Sequence, residues 1–266
     1  MADKIRIGLI GTGRIGQVHA ESIAASNQFD LTYIADTYIA GAERISAQYG
    51  GEVTDDPETL LTSDKVDAVL IASPTPTHVN LIRRGIELGL HVLCEKPIDL
   101  DIQRVDELRH AAANAKTKIA LGFNRRFDPN FSAVKRRVAA GEIGALEQLI
   151  IISRDPAPAP RDYIAVSGGI FRDMTIHDFD MARFLLGEEI TEVVATAAVL
   201  VDKAIGEAGD FDSVQVMLKT ATGKQAMISN SRRATYGYDQ RIEVHGSKGM
   251  VKTSMQSTWI DQFGHA

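Results

Sequence analysis

The chain holds 266 residues, 44% hydrophobic and 24% charged. That is enough for one large or two smaller domains with a buried core, and it excludes intrinsic disorder, collagen-like repeats and a disulfide-stapled mini-protein. Lys and Arg number 29 against 35 Asp and Glu, a formal charge of −6; the acidic balance argues against a nucleic-acid partner but leaves room for a local basic pocket. The single cysteine, Cys94, cannot form an internal disulfide and fits a reducing compartment. The first apolar stretch, from Ile5 to Ile10, is too short for a signal-peptide core, and no apolar run approaches the ~18 residues that span a bilayer. The expectation is a soluble, cytoplasmic protein without a membrane partner.

In chain order, 5–10 reads as a strand ending in glycines, 14–26 as a helix, 31–36 as a strand and 40–49 as a helix. The near-continuous apolar run 66–72 is expected for a parallel strand covered on both faces. A helix over 77–88, a strand over 91–95, a helix over 101–115 and a strand over 118–122 follow. Such βαβα alternation predicts a parallel, doubly wound sheet. The second half differs. A helix over 131–140, a strong strand over 146–152 and a three-proline loop over 155–160 precede an amphipathic helix over 170–186. Strand-like segments then follow at 192–201, 213–218, 225–231, 240–245 and 250–253, with no helix between them. They predict a mainly antiparallel sheet in an α+β domain, and the boundary falls near residue 123.

Gly11-Thr12-Gly13-Arg14-Ile15-Gly16 follows the first strand and opens the first helix, and Asp36 ends the next strand 20 positions past Gly16. By itself G-x-G-x-x-G is a weak signal; in this context it predicts a dinucleotide site rather than a bare tight turn. Gly11 permits the turn, Gly13 lets a pyrophosphate approach the backbone and Gly16 lets helix pack on sheet. The phosphates then meet the unpaired N–H groups of the helix start, from Gly13 through Arg14 and Ile15 to Gly16. Asp36 accepts from ribose hydroxyls and repels a 2′-phosphate, and neither Thr37 nor Tyr38 is an Arg that could receive one. NAD is therefore expected over NADP.

Glu95-Lys96-Pro97 ends the strand 91–95, where ligands gather in open α/β sheets. Lys96 there either polarises a substrate oxygen or is a solvated surface lysine. Asp173 and His177 stand four apart on the helix 170–186, on one face. A carboxylate beside an imidazole suits it to take a proton from an alcohol, or is simply a local helix hydrogen bond. A metal site through Asp173, His177 and Asp180 is a third option; the ligand set is sparse, and no metal is expected.

G-T-G-R-I-G at 11–16, S-P-T-P-T-H at 73–78, C-E-K-P at 94–97 and G-G-I-F-R-D-M-T-I-H-D-F-D at 168–180 together resemble the Gfo/Idh/MocA family of dehydrogenases, and the resemblance covers nearly the whole chain. It implies a Rossmann NAD-binding domain over 1–123. An α+β domain over 124–266 for substrate binding and oligomerisation, shortened at its C-terminus relative to the family, would follow. It implies that Lys96, Asp173 and His177 are catalytic, with His177 the general base and the Lys96–Pro97 peptide cis. Ser73, Pro74 and Thr75 would lie along the cofactor together with Glu95 and Lys96, and His78 would open the next helix. Asn124 and Arg125 would lie near the substrate, with Asp155 and Tyr236 lining its pocket and Tyr238 fitting the same motif almost as well. The activity implied is NAD-dependent oxidation of a secondary alcohol on a cyclic polyol, myo-inositol foremost, to the ketone. Scyllo-inositol, another sugar, or a non-catalytic NAD-binding regulator are the alternatives. A homo-oligomer, a tetramer built through the sheet domain, is implied as well. The tail Trp259–Ala266 is similar to the start of the family's last helix. Among the remaining residues, His19 reads as packing or cofactor-adjacent. Arg232-Arg233 reads as a strand-end pair that reaches either cofactor phosphate or a neighbouring subunit.

Overall fold

A computed structural model describes residues 4–253, which divide after Gly122 into two compact units. The tail Trp259–Ala266 lies outside the described residues.

The first unit runs β1 (Ile5–Ile10), α1 (Arg14–Ala24), β2 (Phe29–Ala35), α2 (Ile39–Tyr49), β3 (Glu52–Thr54), α3 (Pro57–Leu61), β4 (Ala68–Ile71), α4 (His78–Glu87), β5 (His91–Cys94), α5 (Ile102–Asn114) and β6 (Ile119–Leu121). Its six strands are parallel, in the order β3-β2-β1-β4-β5-β6. Helices cover both faces, so consecutive residues such as Leu9 and Ile10, or Val69, Leu70 and Ile71, are all buried, and the strands lack polar alternation. One apolar cluster gathers Ile71, Ile82, Val92 and Leu108; the other gathers Leu9, Ala20, Ile34 and Ile45. Cys94 is wholly buried, and burial pushes its thiol pKa up, so it behaves as a small hydrophobe. The strand order reverses between β1 and β4, so the chains leaving their carboxyl ends diverge and open a crevice.

The second unit runs α6 (Pro129–Ala139), β7 (Leu146–Arg154), α7 (Arg161–Val166), α8 (Ile176–Leu186), β8 (Ile190–Ala198), α9 (Lys203–Glu207), β9 (Ser213–Thr220), β10 (Gln225–Ser231), β11 (Asp239–Gly246) and β12 (Gly249–Lys252). Asp128 caps α6 by accepting from the N–H groups of Asn130 and Phe131, and Pro129 needs no partner at the first helical position. The sheet order is β12-β11-β7-β10-β9-β8. It is mainly antiparallel, as expected, but β10 runs parallel to β7 because two strands and the helices α7 to α9 carry the chain between them. One sheet face packs Leu149, Ile151, Val216, Ile228 and Val244 against Met181 and Leu185 of α8.

Two departures from the sequence reading bear on the site. The continuous helix predicted over 170–186 is a π-turn over Phe171–Thr175 followed by α8. The hydroxyl of Thr175 reaches back to the carbonyl of Ile170 at 3.3 Å and forward to Asn230 Oδ1 at 2.7 Å, which accounts for the widened turn. The short elements β3, α3, α7 and α9 were not anticipated, since three to six residues are too few to display a period. Among the described residues no helix is long and apolar enough to cross a membrane.

Candidate active site

In the first unit the glycine loop joins β1 to α1. Gly11 has φ of +98°, and a Cβ there would lie 2.5 Å from the backbone of Ala72 and Ser73. A Cβ on Gly16 would stand 2.0 Å from the carbonyl oxygen of Gly11. Both positions are closed to any side chain. Gly13 is different: its φ is −64° and a Cβ would meet nothing within 4 Å. Open space over Gly13, at the N-cap of α1, is what a pyrophosphate needs, so the loop fits a dinucleotide. The side chain of Arg14 is exposed beside it and Ile15 is half-buried.

Asp36 follows β2. Its Oδ2 accepts from the Thr12 N–H at 2.7 Å and the Thr12 hydroxyl at 2.6 Å, and its Oδ1 accepts from the Tyr38 N–H at 2.8 Å. The acid that the spacing assigns to a ribose is thus bonded to the glycine loop itself and held in one orientation. Ser73 and Thr75 are half-buried and Pro74 exposed in the loop after β4. After β5, Glu95 Oε1 lies 2.7 Å from His19 Nε2, and its Oε2 accepts from the Lys96 N–H at 3.3 Å. The Lys96–Pro97 peptide is cis. His78, 1% exposed, places Nδ1 2.8 Å from the Pro97 carbonyl and Nε2 2.8 Å from the Ser73 carbonyl. It clamps the Ser73 loop to the Lys96 turn, a role that its position at the start of α4 did not announce.

In the second unit, polar side chains converge behind the π-turn. Asp173 Oδ1 accepts from the Tyr163 hydroxyl at 2.7 Å, and its Oδ2 lies 3.2 Å from Nη1 of Arg232. His177 sits in the first turn of α8, with Phe123 edge-on to its ring at 6.2 Å between centroids. Burial pushes the carboxyl of Asp155 above the usual range; Arg232 and Arg125 pull it down, while Asp173 and Asp178 push it further up. Those five groups therefore share one electrostatic neighbourhood.

Next to it lies a buried network that the sequence reading missed. Asp178, with no exposure, accepts from Arg125 Nη1, from the Ser153 hydroxyl at 2.6 Å and from Asn230 Nδ2 at 2.7 Å. A cavity of about 480 Å³ opens beside it, with Asn124, Arg125, Tyr238 and Gln240 in its wall. Asp155, Asp173 and His177 are not part of that wall; Arg125 lines the cavity, pairs with Asp178 and acts on Asp155 through charge. Tyr236 is committed elsewhere: its hydroxyl donates to Asp239 Oδ2 at 2.7 Å and accepts from Arg154 at 2.7 Å. Tyr238, half-exposed, is the tyrosine that feels Arg125 and Asp155. Arg232 is 2% exposed and ion-paired within this unit, unlike the strand-end cation expected to reach phosphate or another subunit. Arg233 is exposed.

A glycine loop that only glycine can build, opening a helix at the switch point of a parallel sheet and tied to an acid after the second strand, defines a dinucleotide-binding oxidoreductase domain. The chain belongs to the Gfo/Idh/MocA oxidoreductase family. Residues 5–123 match the family's NAD-binding Rossmann fold and residues 131–252 its C-terminal domain. A curated inositol 2-dehydrogenase of Rhizobium meliloti is 57% identical over 252 residues, covering 95% of this chain and 76% of the relative. The crystal structure of a myo-inositol dehydrogenase from Corynebacterium glutamicum superposes with TM-score 0.91 at 53% identity, covering 95% of this chain and 75% of that one. A scyllo-inositol dehydrogenase from Lactobacillus casei, solved with NAD(H) and scyllo-inositol, gives TM-score 0.88 at 31% identity over 96% of this chain and 77% of that one.

Proposed function

We propose that this protein oxidises a secondary hydroxyl of a cyclic polyol, myo-inositol first among them, to the 2-keto product with NAD+ as acceptor. The relatives named for inositol oxidation support the substrate class. The observation that carries the reading is the half-buried Asp173, ion-paired to Arg232 at 3.2 Å, with the half-buried Asp155 and Arg125 within electrostatic reach in the second unit. Such a set of fixed acceptors and donors matches a ligand that presents a ring of hydroxyls and no charge.

Bound NAD+ supplies the hydride acceptor. In this reading the N–H groups of Gly13, Arg14, Ile15 and Gly16 hold its pyrophosphate and Asp36 its ribose, with Ser73, Pro74, Thr75 and Glu95 alongside. His177 takes the proton from the reacting hydroxyl, Asp173 stabilises the resulting imidazolium, and Lys96 donates to the same oxygen. Asn124, Arg125, Asp155 and Tyr238 orient the other hydroxyls; Tyr236 supports Arg154 and Asp239 from behind. The test is NADH absorbance across inositol isomers and aldopyranoses, with NAD+ and NADP+ in parallel. Turnover of myo-inositol with NAD+ is expected. No turnover of any inositol or pyranose, with NAD binding intact, would falsify the reading; preference for scyllo-inositol or a pyranose would correct only the substrate.

We also propose that the chain acts in the cytoplasm, in keeping with its lone buried Cys94, and assembles as a homo-tetramer through the outer face of the second sheet. That face carries Ile150, Ile152, Met217 and Met227, the two methionines 46% and 37% exposed. Sedimentation giving a monomer would remove that part of the proposal.

A further inference from the structure

Arg232 and Arg233 are adjacent in sequence and opposite in circumstance. Arg233 is exposed, whereas Arg232 is 2% exposed, just beyond the end of β10. A guanidinium cannot shed its charge, so one buried this far must be matched by carboxylates. It is matched twice: Nη1 to Asp173 Oδ2 at 3.2 Å and Nη2 to Asp210 Oδ2 at 3.1 Å. The other oxygen of Asp210 accepts from the Ile170 N–H at 2.9 Å, where the π-turn begins. A Cβ on Gly169 would lie 2.9 Å from that oxygen, and Gly169 has φ of +85°, so the approach of Asp210 depends on a glycine there.

We propose that Arg232 is a positioning residue for the proton-transfer pair: its one charge, divided between Asp173 and Asp210, fixes the Asp173 carboxylate and sets the ionisation of His177. The inference rests on the reading of Asp173 and His177 given above and adds a residue to it. The Tyr163 hydroxyl from α7 and Arg232 after β10 bond Asp173 directly; the negative charge acting on it through space is that of Asp155 after β7, which itself feels Asp178 on α8. Arg125 offsets the last two. Arg232 touches Asp173 directly, and Asp210 competes for it.

The competition gives the inference a sign. Replacing Arg232 removes a positive charge, so Asp173 and His177 both hold protons more tightly and the pH at which the base is freed rises. Replacing Asp210 by Asn leaves the whole of that charge to Asp173 and moves the same pH downward. A residue that merely supports the fold would move neither.

The test compares wild type, Arg232→Met, Arg232→Lys and Asp210→Asn in the full chain with NAD+ bound. The ring protons of His177 are titrated by NMR, assigned with His177→Gln, and the pH profile of polyol-dependent NADH formation is recorded alongside. Arg232→Met is expected to raise the His177 midpoint by at least half a unit and lower kcat tenfold or more with little change in KM. Asp210→Asn should lower the midpoint, and Arg232→Lys should return it most of the way towards wild type. Should Arg232→Met fail to fold, Asp210→Asn and Arg232→Lys still carry the two signs. Unmoved midpoints in the folded variants, or equal shifts of one sign for Met and Asn, overturn the proposal. The NMR midpoint is read whether or not any polyol turns over, so failure of the substrate reading leaves this result standing or falling by itself.

Discussion

In residues 1–122 the groups assigned to the cofactor are mostly backbone amides packed into a stretch of six residues, backed by one acid bonded to that stretch. In residues 123–253 the groups assigned to chemistry are side chains from α7, the π-turn, α8 and the ends of β7 and β10, joined by charge. The first arrangement is a matter of what the main chain can do where no Cβ intrudes. The second is a matter of which buried charges neutralise which. The two therefore respond to substitution in different currencies: the first loses ligand affinity through steric contact, the second loses rate or stability through uncompensated charge.

The largest effect is expected at the proton acceptor. His177→Ala should cost on the order of a hundredfold or more in kcat while NAD affinity, measured by fluorescence titration, stays within a factor of about two. Loss of both together would mean that the two units do not divide the work as described.

Next in size is the buried network. Asp178→Asn withdraws the carboxylate from Arg125, Ser153 and Asn230. Breaking a buried pair from one side costs roughly 3–5 kcal/mol, because the remaining charge is stranded. Urea unfolding at pH 7 reads it, and a loss under about 1 kcal/mol would show that water reaches Arg125.

The glycine loop separates two outcomes within six residues. Gly16→Ala drives a methyl into the Gly11 carbonyl and should lower Tm as well as NAD binding. Gly13→Ala meets nothing in the free protein, so Tm should hold while the Kd for NAD rises about tenfold or more. Equal damage from both would contradict the open cradle.

The smallest effect concerns Asp155 and pH. Its carboxyl is raised by burial above the ordinary 3.8, so the folded protein binds that proton more readily than the unfolded chain. The cost of ionising it is therefore absent below the unfolded value and present in full above the folded one. Asp155→Asn removes that cost and should raise Tm by a few degrees at most near neutral pH. The gain should vanish below the ordinary carboxylate value, while the activity of the variant falls. A gain that persists in acid would assign the effect to packing instead.

How much of this could be read from the sequence follows from the same contrast. A backbone that must turn at Gly11 and pack at Gly16 admits one residue type at each place, and a ribose acid at the end of the next strand has a set distance along the chain. Those constraints are local, so they leave a spelling. Lys96 after its strand, and Asp173 and His177 four apart, were singled out by the same local logic, which left a bland alternative open at each until the family resemblance gave them roles; the π-turn means that the spacing is realised on a wider turn than an α-helix. Arg232 left no such trace. Its partners stand 59 and 22 residues away, and an arginine at a strand end reads equally as surface, phosphate clamp or interface.

Asp178 was legible only as a polar residue beside His177, Arg125 was placed near the substrate by the family resemblance alone, and Tyr236 and Tyr238 could not be told apart until the Tyr236 hydroxyl was seen bonded to Arg154 and Asp239. The amino-acid order by itself determined the doubly wound nucleotide unit, the glycine cradle and its acid, because helical and strand periods and steric exclusion act between near neighbours. Tertiary structure alone decided which arginine is buried, which tyrosine faces the carboxylates and how one charge is shared between Asp173 and Asp210. Ion pairing in a desolvated interior depends on distance in space, and the chain brings those residues within hydrogen-bonding reach only once it has folded.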